Sequence, residues 1–249
     1  MHIRTRQFRR WFIASIAAVS VMSLGATPAA HCQSLDEGQI TPLIFHPQVM
    51  PEGAWWHSAG LTAIAPPPAI TEEAQVRWPA FDYHGLYGLP KGFSLDGRAA
   101  VQVLQNRFSV GPKWVSRLGP VSVSLGWDVA YWFGYLDVGG FDSKAFGWES
   151  TPNVSVGYPI GEVAATLKAE ALIVHSFTSY QGDSKWSINP ENFGGWGFTL
   201  VLEQPFYGDQ YLTLGFRALY SKFYWETWSL FSTFDRFLFY PEIIVGFIL

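Results

Sequence analysis

Along residues 121–135, VSVSLGWDVAYWFGY, every odd position is apolar, from Val121 through Leu125 and Val129 to Tyr135. The even positions carry Ser122, Ser124, Gly126, Asp128, Ala130, Trp132 and Gly134. Side chains of a strand point alternately to its two faces, so this pattern predicts a strand with one apolar face and one small or polar face. It is far longer than the usual strand of about 5–6 residues. A tilted strand crosses a bilayer in about 9–11 residues, so this one has length enough to cross and project beyond.

The same alternation recurs along the chain, interrupted by turn residues. Strands are expected over 54–64, 81–89, 93–104, 107–115, 121–135, 153–158, 163–176, 194–204, 210–224 and 237–249. Gly- and Pro-bearing short connections at 90–92, 117–120, 159–162 and 205–209 take turns with longer polar ones at 136–149, 177–192 and 225–236. The tight link at 105–106 is the exception. Ten strands result, with eight or twelve as the alternatives. Pro42, Pro47 and Pro51 keep 33–53 out of a sheet interior, and the run Pro66-Pro67-Pro68 ends the first strand.

The N-terminus changes the compartment. Arg4, Arg6, Arg9 and Arg10 precede an apolar stretch, 11–24, and a small-residue stretch GATPAAHC, the layout of a Sec-type export leader cut after Cys32. Lipidation of Cys32 competes with cleavage; His31 just before it disfavours lipidation. The domains expected are therefore a leader at 1–32, a periplasmic lead-in at 33–53 and a strand domain at 54–249. Removing the leader takes away four positive charges, doubling the net charge of −4, and removes the one cysteine. Nucleic acid is thereby excluded as a partner, because its binding needs a basic footprint. Charged residues make up 14% of the chain, well under the roughly 25% of soluble domains, while 17% are aromatic. After the leader, no apolar run is long enough for a membrane-spanning helix.

The leader, the alternating strands, the aromatic clusters and the final strand together resemble bacterial outer-membrane β-barrels over residues 54–249. That final strand ends on Ile243, Val245, Phe247 and Leu249, similar to the C-terminal signal read by the barrel-assembly machinery, with Leu where Phe is commoner. The resemblance implies an all-β, transmembrane antiparallel up-and-down barrel in the Gram-negative cell outer membrane, with lipid and lipopolysaccharide as its surroundings and long connections outside. It is to an architecture, so it brings no activity or oligomeric state with it.

With the apolar faces toward lipid, Asp82, His84, Asp96, Arg98, Asp128, Lys168, Glu170, Glu203, Arg217 and Glu242 fall on the lumen phase, with Arg107 and Lys113 as further candidates. Two readings follow. Such charges fill a small barrel as ion pairs, for example Lys168 with Glu170 or Asp96 with Arg98, or they line a narrow porin-like conduit. The expected function is non-enzymatic, as channel or as structural and surface barrel.

The alternative is a lipid-acting hydrolase using His175 with Ser176, Thr178 or Ser179; adjacent residues of a strand face opposite sides, so His175 and Ser176 need a bulge to meet. The rim acids Asp137, Asp142, Glu149, Asp183, Glu191 and Asp235, with only His175 near them, do not make the cluster of a barrel protease. His46, His57, His84 and His175 lack metal-ligand spacing, so no metal or other cofactor is expected. Tyr131, Trp132, Phe133, Tyr135, Trp148, Trp196, Tyr220, Tyr224, Trp225 and Trp228 are expected in an outer aromatic girdle, with Tyr158, Phe206, Tyr207 and Tyr211 in an inner one. A soluble β-sandwich or lipocalin-like fold is the third possibility; it would have to hide an apolar band on both faces.

Overall fold

The structure, a computed structural model, describes residues 41–68, 79–138, 141–182, 184–188, 192–208, 210–228 and 236–249. The leader expected at 1–32, the start of the expected lead-in and the rim acids Asp183, Glu191 and Asp235 lie outside them. Among the described residues eleven strands follow one another: β1 (Trp55–Ile64), β2 (Ala80–Gly88), β3 (Phe93–Val101), β4 (Gln105–Leu118), β5 (Val121–Val138), β6 (Phe141–Ile160), β7 (Val163–Gln181), β8 (Ser184–Ile188), β9 (Phe193–Tyr207), β10 (Gln210–Ser221) and β11 (Leu238–Ile248). Each is antiparallel to its neighbours, β7 pairs with β9, and β1 pairs with β11 from Ser58↔Ile248 to Ile64↔Glu242. The sheet is thereby a closed barrel of ten strands, with β8 an added hairpin strand on the far end of β7.

Closure sorts the side chains. On β5, Leu125, Trp127, Val129, Phe133 and Tyr135 are exposed, while Ser122, Ser124, Ala130 and Trp132 are buried inside. Leu61, Phe81, Leu167, Leu200, Phe216 and Ile243 continue the exposed apolar belt on other strands. An exterior of this kind around a polar interior is the reverse of a water-soluble barrel, and matches the lipid-facing band of a membrane barrel.

The wall is uneven. β5, β6 and β7 run to 18, 20 and 19 residues against 9 each in β2 and β3. Residues 136–149 are therefore mostly strand where a loop is expected, and 177–192 contains the end of β7 and all of β8. The reason is environmental. Beyond Gly134, which pairs with Gln105 at the start of β4, the hairpin sheet leaves the apolar belt. Its Asp137, Asp142, Lys144 and Lys185 are exposed, so no apolar alternation marks it as strand.

Two apolar clusters lie inside the barrel, one at each end. At the short-turn end, Leu43, Ile44 and Met50 pack on Leu86, Ala164 and Ile248. At the other, Phe223, Tyr224, Trp225 and Trp228 fold in against Trp132, Leu172, Phe177 and Tyr240. Trp132, Tyr224, Trp225 and Trp228 thus belong to an internal cap and not to the girdle, and Tyr211 packs inside with the short-turn cluster. Trp148, Trp196 and Tyr220 are exposed near one end of the belt, Tyr158, Phe206 and Tyr207 near the other.

Leu125, half exposed on the belt, gives a direct test. Leu125→Arg should cost about 2–4 kcal/mol in reversible unfolding from lipid vesicles, and Tyr135→Arg, near the end of the belt, about 0–1.

Candidate functional site in the lumen

The inward phase of the strands builds a ring of alternating charge. Arg98 on β3 donates to Asp82 on β2 at 2.6 Å and lies 3.9 Å from Glu242 on β11. Glu242 accepts from Arg217 on β10 at 3.0 Å, and Arg217 in turn donates to Glu170 on β7 at 2.6 Å. Lys168 stands 3.4 Å from Glu170 and 3.9 Å from Asp128 on β5, whose carboxylate also accepts from Asn153 at 2.9 Å. Asp96 contacts His84 at 2.7 Å and accepts from Lys113 at 3.2 Å, and Arg107 donates to Glu149 at 2.6 Å.

Cross-strand neighbours decide these partners. His84 lies opposite Arg98 and Leu86 opposite Asp96, so diagonal contacts bring Arg98 to Asp82 and His84 to Asp96. The pairing of Asp96 with Arg98 along one strand does not form, whereas that of Lys168 with Glu170 does. Glu149, expected as a solvated rim acid, is inward and 3% exposed, beside Arg107.

Between the clusters remains a cavity of about 60 Å³, lined by His84, Asp96, Arg98, Asp128, Lys168 and Arg217 among others. At about 10–15 Å³ per water, it has room for a few waters and not for an extended solute.

Both ends of this cavity are stopped by chain that is not strand. Glu203 on β9, fully buried, accepts backbone N–H groups from Ile44 and Phe45 at 2.8 and 3.1 Å and from His46 at 2.8 Å. The Phe45 ring meets His84 edge-on at 5.1 Å. His46 faces Gly157, where a Cβ would collide with its ring. Burial and then Arg117 lower the His46 pKa to about 4, so the imidazole enters the barrel uncharged at neutral pH. At the far end Glu226 accepts from Gln102 at 2.8 Å, Gln105 donates to its backbone oxygen at 3.0 Å, and Tyr224 donates to Glu242 at 3.2 Å. Trp228 sits over Gly134, where again a Cβ has no room.

Neither stopper was legible as such. The signals were the apolar triplet Leu43-Ile44-Phe45 between prolines and the aromatic triplet Phe223-Tyr224-Trp225 at the edge of a connection.

The hydrolase residues come out differently from their sequence pairing. A register shift at Trp148/Glu149 bulges β7, and His175 Nε2 shares a hydrogen bond of 2.9 Å with Ser150 Oγ. Ser176 Oγ instead accepts the backbone N–H of Trp148 at 3.2 Å. Ser150 is 1% exposed, so the hydroxyl that the imidazole reaches is not open to a substrate.

No protein-family model matches the chain, and no curated protein matches it. Among solved structures, Neisserial surface protein A aligns over 78% of this chain and 94% of its own at 12% identity, with a TM-score of 0.38. The translocator domain of the autotransporter NalP from Neisseria meningitidis aligns over 80% and 90% at 10% identity, TM-score 0.44. OccK5 (OpdH) from Pseudomonas aeruginosa aligns over 78% and 67% at 11% identity, TM-score 0.24.

Two outcomes follow from the ring and its cap. Arg217→Met leaves Glu170 and Glu242 buried without their shared cation, and should cost about 3–5 kcal/mol in urea unfolding. Burial, and then Glu242, push Glu226 from the ordinary 4.5 up to about 8; Gln102, Tyr224 and Arg217 also face it. A raised acid favours the protonated, docked loop. Docking should therefore be tightest below about pH 4.5, weaken as pH rises, and be weakest above about 8. Hydrogen exchange of 222–228 reads this, and Glu226→Gln should flatten the profile.

Proposed function

We propose that this chain is a non-enzymatic integral barrel of the bacterial outer membrane whose resting state is sealed, a structural and surface-exposed component and not an open porin. The observation that carries the reading is the closed lumen: Ile44 and Trp132, one in each end cluster, are both fully buried, and the strand acids facing the lumen, Glu203 apart, are ion-paired. An open diffusion pore keeps a continuous polar path along its axis. Here apolar side chains interrupt that path twice.

The outer membrane as location draws on the exposed apolar belt around a closed antiparallel barrel, the membrane architecture built from strands. On this reading a Sec-type leader at 1–32 directs export, and the final strand, with Ile243, Phe247 and Leu249 exposed outward, engages the assembly machinery. Lipid and lipopolysaccharide then surround the belt. The channel reading is retained only for a state in which the stoppers have moved. A hydrolase has little support, since Ser150 is covered and Ser176 is engaged by backbone.

Purified, heat-modifiable protein in planar bilayers should show no steady conductance, and steady conductance by the intact chain would overturn the sealed reading. His175→Ala should leave lipid hydrolysis at the same background level as the parent; a parent activity abolished by that substitution would revive the enzyme.

A further inference from the structure

We infer that the short-turn mouth of the barrel is a docking site for a bent apolar peptide, built around the Glu203 carboxylate, and that the chain's own residues 43–46 occupy it reversibly and so control access to an acidic lumen. The inference rests on the sealed reading above and adds what does the sealing and how it is released.

Glu203 is the key to the site. Among the described residues no arginine, lysine or histidine lies within ion-pair distance of it, unlike the other strand acids of the lumen. Its charge is met by three consecutive backbone N–H groups. A carboxylate that accepts consecutive amides reads a peptide backbone whatever its side chains. Side-chain selection comes from the surroundings: an apolar floor of Leu86, Ala164 and Ile248, and the space over Gly157 that admits a ring.

Among the described residues, the polar contacts of residues 43–46 with the wall are those to Glu203 and one between His46 Nδ1 and Thr166 Oγ1 at 3.4 Å. Backbone hydrogen bonds of 43–46 go to Glu203 and to Thr41, not into a strand ladder, and Gln48 bonds within the segment. Pairing with the wall resumes only at Gly53 and Ala54, against Gly88. The barrel closes through β1 and β11 without 43–50, so the segment is able to leave while the wall stays whole.

What its departure exposes is acidic. Arg98, Arg107, Lys113, Lys168 and Arg217 are outnumbered by Asp82, Asp96, Asp128, Glu149, Glu170 and Glu242, to which an undocked mouth adds Glu203. Cations gain over anions in such a vestibule. The 222–228 cap closes the far end, so access from the short-turn side, and not conductance, is the proper readout.

The test places a single thiol in the lumen of the full chain, Ser155→Cys with Cys32→Ser, and measures its reaction with cationic and anionic thiosulfonate reagents in detergent. Ser155 lines the cavity and is 3% exposed, so the parent should react slowly. Phe45→Pro removes one of the three donors and should speed labelling about tenfold or more, the worth of one charge-assisted hydrogen bond. The cationic reagent should lead, and a synthetic peptide of residues 41–50 should restore protection. Ile44→Asp, which puts a charge into the apolar floor and leaves the strands untouched, is the second variant, and heat-modifiable mobility reports that each barrel is folded. Folded variants that label no faster than the parent, or labelling that the peptide does not slow, would overturn the inference. Rapid labelling of the parent itself would instead overturn the sealed reading.

Discussion

The ladder between β1 and β11 is the contact on which everything else depends. In hydrocarbon no water is present to satisfy an unpaired N–H or C=O, so a sheet in a membrane must have no edge. Joining the first strand to the last meets that demand from Ser58↔Ile248 to Ile64↔Glu242. It also brings the two ends of the barrel chain to one rim, where the N–H of Leu249 donates to the His57 carbonyl at 3.0 Å. Chain that precedes β1 therefore emerges beside the mouth it can enter. The position of the 43–50 stopper follows from closure.

Closure also sets the problem of the interior. Ten strands enclose more space than inward Ser, Thr and Gly side chains fill, and long charged side chains take up much of the remainder. Charges so placed are tolerable only in company, since removing water from an unpaired ion costs several kcal/mol. Acid and base accordingly alternate from Asp82 through Arg98, Glu242, Arg217, Glu170 and Lys168 to Asp128. Such a network adds little net stability over an apolar filling, but each member makes its neighbours indispensable.

The two ends are closed by one device used twice. A non-strand segment brings large apolar side chains into the lumen, a lumen-facing acid binds it, and wall glycines make room: Glu203 with Gly157 at one end, Glu242 with Gly134 at the other. Acids here take hydrogen bonds from backbone or phenol in addition to any ion pair. That differs from the middle of the lumen, where cation meets anion.

Much was written locally. Period-2 alternation is a property of consecutive residues, so the phase of 121–135, the ten wall strands and the face on which Asp128, Arg217 and Glu242 stand were all legible from the chain. Strand ends were legible only inside the apolar belt. Past it the exposed Asp137, Asp142 and Lys144 leave no apolar face to mark a strand, and 136–149 reads as loop although it is mostly strand. The partner of each charge was not legible, because cross-strand register chooses it: Arg98 meets Asp82, and Glu149 leaves the expected rim for Arg107. Least visible were the stoppers. An apolar triplet among prolines has no period, and only the closed wall, by supplying Glu203 and a cavity to fill, gives Leu43, Ile44 and Phe45 somewhere to go.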